Sequence, residues 1–100
     1  MEKTYCTYIL ASKRNGALYI GVTGNLVNRV YEHKCNLISG ITSQYAIHHL
    51  VYFEYHKNPA AASLREMSIK EMHRIWKLDL IEQHNPEWRD LYSEVAGINC

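Results

Sequence analysis

The sequence predicts a small α/β sandwich: a three-stranded, mostly antiparallel sheet flanked by helices, in the order β-β-α-β-α-α-α. Two runs rich in β-formers, Tyr5 to Ala11 and Ala17 to Val22, flank the dipeptide Asn15-Gly16, which is a strong hairpin signal. A third such run, Leu50 to Tyr55, lies between two helical stretches. Three short strands are not stable alone, so the helices must cover the sheet.

The hairpin comes first. A type I′ turn at Asn15-Gly16 needs positive φ at both residues and pairs positions summing to 31. A four-residue loop from Ser12 to Asn15 pairs positions summing to 27 and sets Tyr8 opposite Tyr19. Both sums are odd, so either register puts the two tyrosines on one face. Thr23 to Asn25 supplies helix-start chemistry. Asn25 to about Asn36 reads as a helix with Leu26, Val27, Val30 and Tyr31 inward, and with Asn25, Arg29 and His33 on a different stripe. Residues 36–48 read as a loop, with room for one helical turn near Tyr45. Asn58-Pro59 opens a long helix to about Trp76, with room for a bent continuation up to His84. Asn85, read as an N-cap, starts a final helix from Pro86 to about Val95.

One hundred residues fit one domain, taken as residues 1–100. No apolar run approaches the roughly 20 residues of a membrane span. The N-terminus lacks a signal-peptide pattern, and three widely spaced cysteines suit a reducing interior, so a cytoplasmic location without membrane contact is expected. No Cys-x-x-Cys pair announces structural zinc. Charge is unevenly spread. Residues 1–78 carry ten Lys/Arg against five Asp/Glu, and residues 79–100 carry one against five. A basic body with an acidic end suits a polyanion on one side.

Five residues could carry chemistry. Tyr8 and Tyr19 could grip a phosphate or handle an attacking water, though strand tyrosines are more often packing residues. Arg29 and His33, one helical turn apart, project together. Arginine presents a planar fork to phosphate, and histidine shuttles protons near neutral pH. The alternative is a solvated helix face. Glu66 stands on the stripe Ala62, Glu66, Ile69, Met72, His73, Trp76, where a carboxylate needs a cation. That cation could be Mg²⁺ or simply Lys70 in an i,i+4 pair. Lys70, Arg74 and Lys77, with Arg65 nearby, could track a phosphate backbone, and Arg14 and Lys34 add to the basic set.

Taken together, Thr7-Tyr8-Ile9, Tyr19-Ile20-Gly21, Arg29, His33 and Glu66 within Leu64-Arg65-Glu66 resemble the GIY-YIG nuclease family. The segments Leu18 to Thr23, Tyr31 to Lys34 and Asn85 to Leu91 resemble its small stand-alone bacterial branch, and the likeness covers roughly residues 4–94. The resemblance implies a metal-dependent DNA endonuclease with a GIY-YIG-like fold, of use in DNA repair or recombination. It implies that Tyr19 or His33 helps generate the attacking water with Tyr8 close by, that Arg29 stabilises the phosphorane, that Glu66 holds one Mg²⁺ or Mn²⁺, and that Asn85 borders the site. Departures are Thr7 for the glycine of the first half-motif, Val22 for a lysine of repair-incision relatives, and Met67 and Gln44 for basic residues. Small surface and strand aromatics favour single-stranded or branched DNA as the partner. The alternative is a module of the same fold that binds nucleic acid without cutting it.

Overall fold

β1 (Tyr5–Ala11) is the central strand of a sheet ordered β2-β1-β3, with β2 (Leu18–Thr23) and β3 (His49–His56) both antiparallel to it. The computed structural model describes residues 4–35 and 46–97. The expected helical turn near Tyr45 and the position of Gln44 lie outside them. Four helices follow the strands: α1 (Leu26–Lys34) before β3, then α2 (Pro59–Glu71), α3 (Arg74–His84) and α4 (Tyr92–Ala96). The expected fold class is observed, and no helix among the described residues is long and apolar enough to cross a membrane.

Alternation along β1 builds two cores, because successive side chains leave opposite faces. Ile9 and Ala11 pack with Ile20, Ile69, Ile81 and Trp88. Cys6, Tyr8 and Leu10 pack with Leu26, Val30, Ile47 and Leu50. α1 begins where Thr23 and Asn25 exchange hydrogen bonds and the Asn25 side chain accepts from the Asn28 N–H at 3.1 Å. α2 begins at Pro59, capped by Asn58 accepting from the Ala61 N–H at 2.8 Å.

The hairpin register differs from both expected ones. Ala11 faces Leu18 and Tyr8 faces Gly21, so paired positions sum to 29. The connection closes with the Gly16 N–H donating to the Lys13 carbonyl at 2.9 Å, and Asn15, at φ 58°, takes the left-handed position without Gly16. Arg74 reinforces the turn, donating to the Asn15 and Gly16 carbonyls at 2.7 Å each. The parity of 29 is also odd, so the two tyrosines still share a face. Tyr31 corrects another expectation: it is half exposed, and Leu26, Val30 and His33 form the buried stripe.

The long helix breaks earlier than expected. Met72 and His73 are extended (ψ 145° and 152°), which separates α2 from α3 before Trp76. Ile69 and Ile81 are both fully buried in the same core. In one straight helix they would stand about 18 Å apart and about 120° out of phase, so the break folds both onto the sheet. Trp76 is left 60% exposed by that turn.

The last helix is also shorter than expected, and Asn85 caps the end of α3 instead of starting a helix. The pairing of β1 with β3 slips by one residue between Ile9 and Leu10, leaving Val51 as a bulge. Asn85 is buried beside it and donates from Nδ2 to the carbonyls of Val51 (3.2 Å) and Arg89 (2.8 Å). Its Oδ1 accepts from the Arg89 N–H at 3.1 Å. Asp90 accepts from the Leu50 N–H, and the Leu91 N–H donates to the Leu50 carbonyl. The segment 85–91 therefore covers the outer edge of β3, satisfying groups that an edge strand leaves open.

Asn85→Ala leaves these backbone groups unpaired. It is expected to lower the unfolding free energy by about 2–4 kcal/mol in urea titration, and Asn85→Asp is expected to cost at least as much.

Candidate active site

Tyr8 and Tyr19 sit diagonally across β1 and β2 on the face that α1 covers, with ring centroids 6.3 Å apart. His33 in the last turn of α1 completes the group, its ring 6.2 Å from that of Tyr8 and 5.3 Å from that of Tyr19. The Tyr8 hydroxyl and His33 Nε2 share a hydrogen bond at 3.3 Å, whose direction follows the imidazole tautomer. Tyr8 and His33 are buried and Tyr19 is partly so. His33 is thus no part of a solvated helix face.

Gly21 is the floor of this cluster. A Cβ there would lie 2.6 Å from the Tyr8 hydroxyl oxygen and 3.1 Å from Tyr19 Cε1. Only a residue without a side chain lets the phenol lie across β2.

The electrostatics divide the roles. Burial holds the Tyr8 phenol well above its ordinary range. The charges of Tyr19, Glu66 and Glu32 add to that, and Arg29 opposes it. Tyr8 therefore keeps its proton, and a free phenolate base at this position is disfavoured. Burial lowers the His33 pKa, and Arg29 and His48 act in the same direction against Glu32. The imidazole is accordingly neutral near pH 7 and can accept a proton.

Arg29 is largely exposed, with Nε 3.7 Å from Glu32 Oε1. It lines a polar cavity of about 310 Å³ with Thr23, Gly24, Asn25 and Asn28. Glu66 is half-buried on α2, with Oε2 3.3 Å from Lys70 Nζ. This is the i,i+4 pair; Lys70 is more than half exposed, so the pair contributes little and can be exchanged for another cation. Among the described residues no three His, Cys, Asp or Glu side chains form a metal cage. Glu66 offers one carboxylate, which fits a hard cation completing its shell with water and phosphate oxygens and does not fit structural zinc.

The other expected basic contacts are mostly engaged internally. Lys34 pairs with Asp90 and lies 5.3 Å from the Tyr92 ring centroid. Arg65 Nε donates to both Glu54 oxygens, at 3.1 and 3.0 Å. Arg74 holds the hairpin turn. Arg14 is exposed at the hairpin tip and Lys77 is half-buried on α3. The Asn85 side chain, expected at the site rim, is bonded to the backbone of Val51 and Arg89. Sequence reasoning quotes Gly21 within the second half-motif without giving it a role, and leaves Glu32 out of the candidate site. An isolated glycine in a strand pattern, and a glutamate three residues after Arg29, are the signals that could have marked them.

Gly21→Ala forces Tyr8 or β2 to move. It is expected to destabilise the fold by about 1–3 kcal/mol and to change the near-ultraviolet circular dichroism of the tyrosines. His33 has a folded pKa below its unfolded value, so the unfolded chain binds more protons as pH falls below about 6.5. Wild-type stability is therefore expected to drop on acidification from neutral pH relative to His33→Gln, measured as paired urea titrations. A constant difference between the two proteins would contradict a buried neutral imidazole.

Comparison with known proteins agrees with this geometry. The GIY-YIG catalytic domain matches residues 4–79. A UPF0213 protein of Clostridium perfringens (strain 13 / Type A) is 34% identical over 88 residues, spanning 88% of this chain and 94% of that protein. The solution NMR structure of a UPF0213 protein from Bacillus halodurans has a TM-score of 0.55 at 20% identity, covering 90% of this chain and 95% of that one, which is a likeness of fold. With the tyrosine half-motifs on neighbouring strands and the domain match covering most of its length, this chain belongs to the GIY-YIG family.

Proposed function

We propose that this protein is a metal-dependent endonuclease that hydrolyses phosphodiester bonds of DNA, with single-stranded or branched DNA preferred. The observation that carries the reading is the Tyr8–Tyr19–His33 cluster, with a buried neutral imidazole bonded to a phenol that senses the charges of Arg29 and Glu66.

Tyr8 and His33 suit a proton relay. As water attacks phosphorus, the Tyr8 oxygen accepts the water proton while the Tyr8 proton passes to His33 Nε2. A concerted transfer avoids the phenolate that burial disfavours. Tyr19 packs against the imidazole with its ring tilted by 56° and holds it in place. Arg29, exposed beside its polar cavity, exchanges Glu32 for a phosphate oxygen and stabilises the charge that grows on the phosphorane. Glu66 would hold one Mg²⁺ or Mn²⁺ in place of its contact with Lys70, and such an ion would stabilise the leaving oxygen.

The substrate preference rests on surface. Four of the six basic residues that could grip a phosphate backbone, Lys34, Arg65, Lys70 and Arg74, have internal partners, which weakens purely electrostatic gripping of a duplex. Tyr55 on β3 is 59% exposed and stands edge-to-face with Phe53 at 5.5 Å, and an exposed aromatic suits unpaired bases.

Labelled single-stranded, duplex and forked oligonucleotides incubated with Mg²⁺ or Mn²⁺ test the reading. Wild type is expected to cut, with the single strand or fork cut faster than the matched duplex. Glu66→Ala is expected to be inactive, and Arg29→Ala to lose about 10²–10³-fold in kcat. Binding without cutting, in wild type as in Glu66→Ala, would replace the nuclease with a binding module.

A further inference from the structure

Thr7 directly precedes Tyr8 in the first half-motif, and the structure gives it a use of its own. Thr7 and Tyr8 are consecutive on β1 and leave opposite faces of the sheet. Tyr8 meets His33 under α1. Thr7 is fully buried, and its Oγ1 donates to the Ala62 carbonyl of α2 at 2.8 Å. Ala62 is also fully buried, and its small side chain lets the α2 backbone approach β1. In an α-helix the same carbonyl accepts the N–H of the residue four positions on, which here is Glu66.

We propose that Thr7 is a positioning residue for Glu66: its hydroxyl pins α2 to β1 one helical turn before the carboxylate and so sets the distance from Glu66 to the Tyr8–His33 pair. The inference rests on the reading of Glu66 as the metal-holding residue. Two other contacts of α2 with the sheet tolerate sliding along the helix axis: Ile69 packs through apolar surface, and Arg65 reaches Glu54 on β3 through a long, partly exposed side chain. A hydrogen bond between a β-branched hydroxyl and one carbonyl does not. Glu66 is among the charges that raise the Tyr8 phenol after burial and Tyr19, so the carboxylate lies within electrostatic reach of that hydroxyl.

The test is Mn²⁺ broadening of backbone amide NMR signals in the full chain, comparing wild type with Thr7→Val, Thr7→Ala and Thr7→Ser. Glu66→Gln is the control for the metal reading, and thermal melts run alongside. In wild type, added Mn²⁺ is expected to broaden amides next to Glu66 and also the Gly21 amide beneath Tyr8. In Thr7→Val and Thr7→Ala the amides next to Glu66 still broaden, and the Gly21 broadening changes relative to them. Thr7→Ser, which keeps the hydroxyl, restores the wild-type ratio. With oligonucleotide substrate, kcat falls about tenfold or more in the two hydroxyl-less variants with KM little changed, as small misplacements at a reacting centre do. A wild-type broadening ratio in folded Thr7→Val or Thr7→Ala, with a lowered melting temperature alone, overturns the positioning role and leaves a structural hydrogen bond. Broadening that survives in Glu66→Gln sinks the reading of Glu66 itself, and the inference with it.

Discussion

The contact on which the rest of the site depends is the Tyr8 ring lying across Gly21, in a register where the two residues face each other. β1 is paired on both sides, so its alternation is locked from two directions. A slip of one residue would carry Tyr8 from α1 to α2 and bring Thr7 to His33. Every side chain of the site is referenced to that register: Tyr19 by the diagonal, His33 by its hydrogen bond, and Glu66 through the helix on the other face.

Two devices keep the register single. At the hairpin end, Arg74 spans from α3 to the turn carbonyls, which joins β1 and β2 to the helical layer. At the other edge, Asn85 and Asp90 take up the β3 groups that the bulge at Val51 releases. Arg74 and Asn85 look functional in the sequence, the first as a basic contact and the second as a border of the site. In the structure both bond backbone groups, because buried or folded-over carbonyls and N–H groups require partners. Trp88 adds a further constraint: it is buried at φ 55°, an uncommon conformation for a bulky residue, with its indole N–H held by Glu82 at 3.0 Å.

The cluster also shows why a phenol and an imidazole of ordinary type behave unlike their free counterparts. The same burial raises one pKa and lowers the other, so both groups are neutral together at neutral pH and share one hydrogen bond. Arg29 and Glu32 stay near the surface, where a phosphate can displace the carboxylate at small cost.

The sequence alone determined the order and type of the elements, the shared face of the two tyrosines, and the placing of Arg29, His33 and Glu66 on helices. Those follow from local periodicity, turn and cap chemistry and strand parity, which neighbouring residues encode. Only the tertiary structure decided the hairpin register, the helix break at Met72–His73, the bulge at Val51 and the internal partners of Lys34, Arg65, Arg74 and Asn85. Each of these pairs groups distant in the chain. Ile69 and Ile81 break the helix because one core can bury both only if it bends, and Arg65 leaves the basic surface because Glu54 on β3 comes within reach. No local pattern carries that information, since it arises when the layers close on one another.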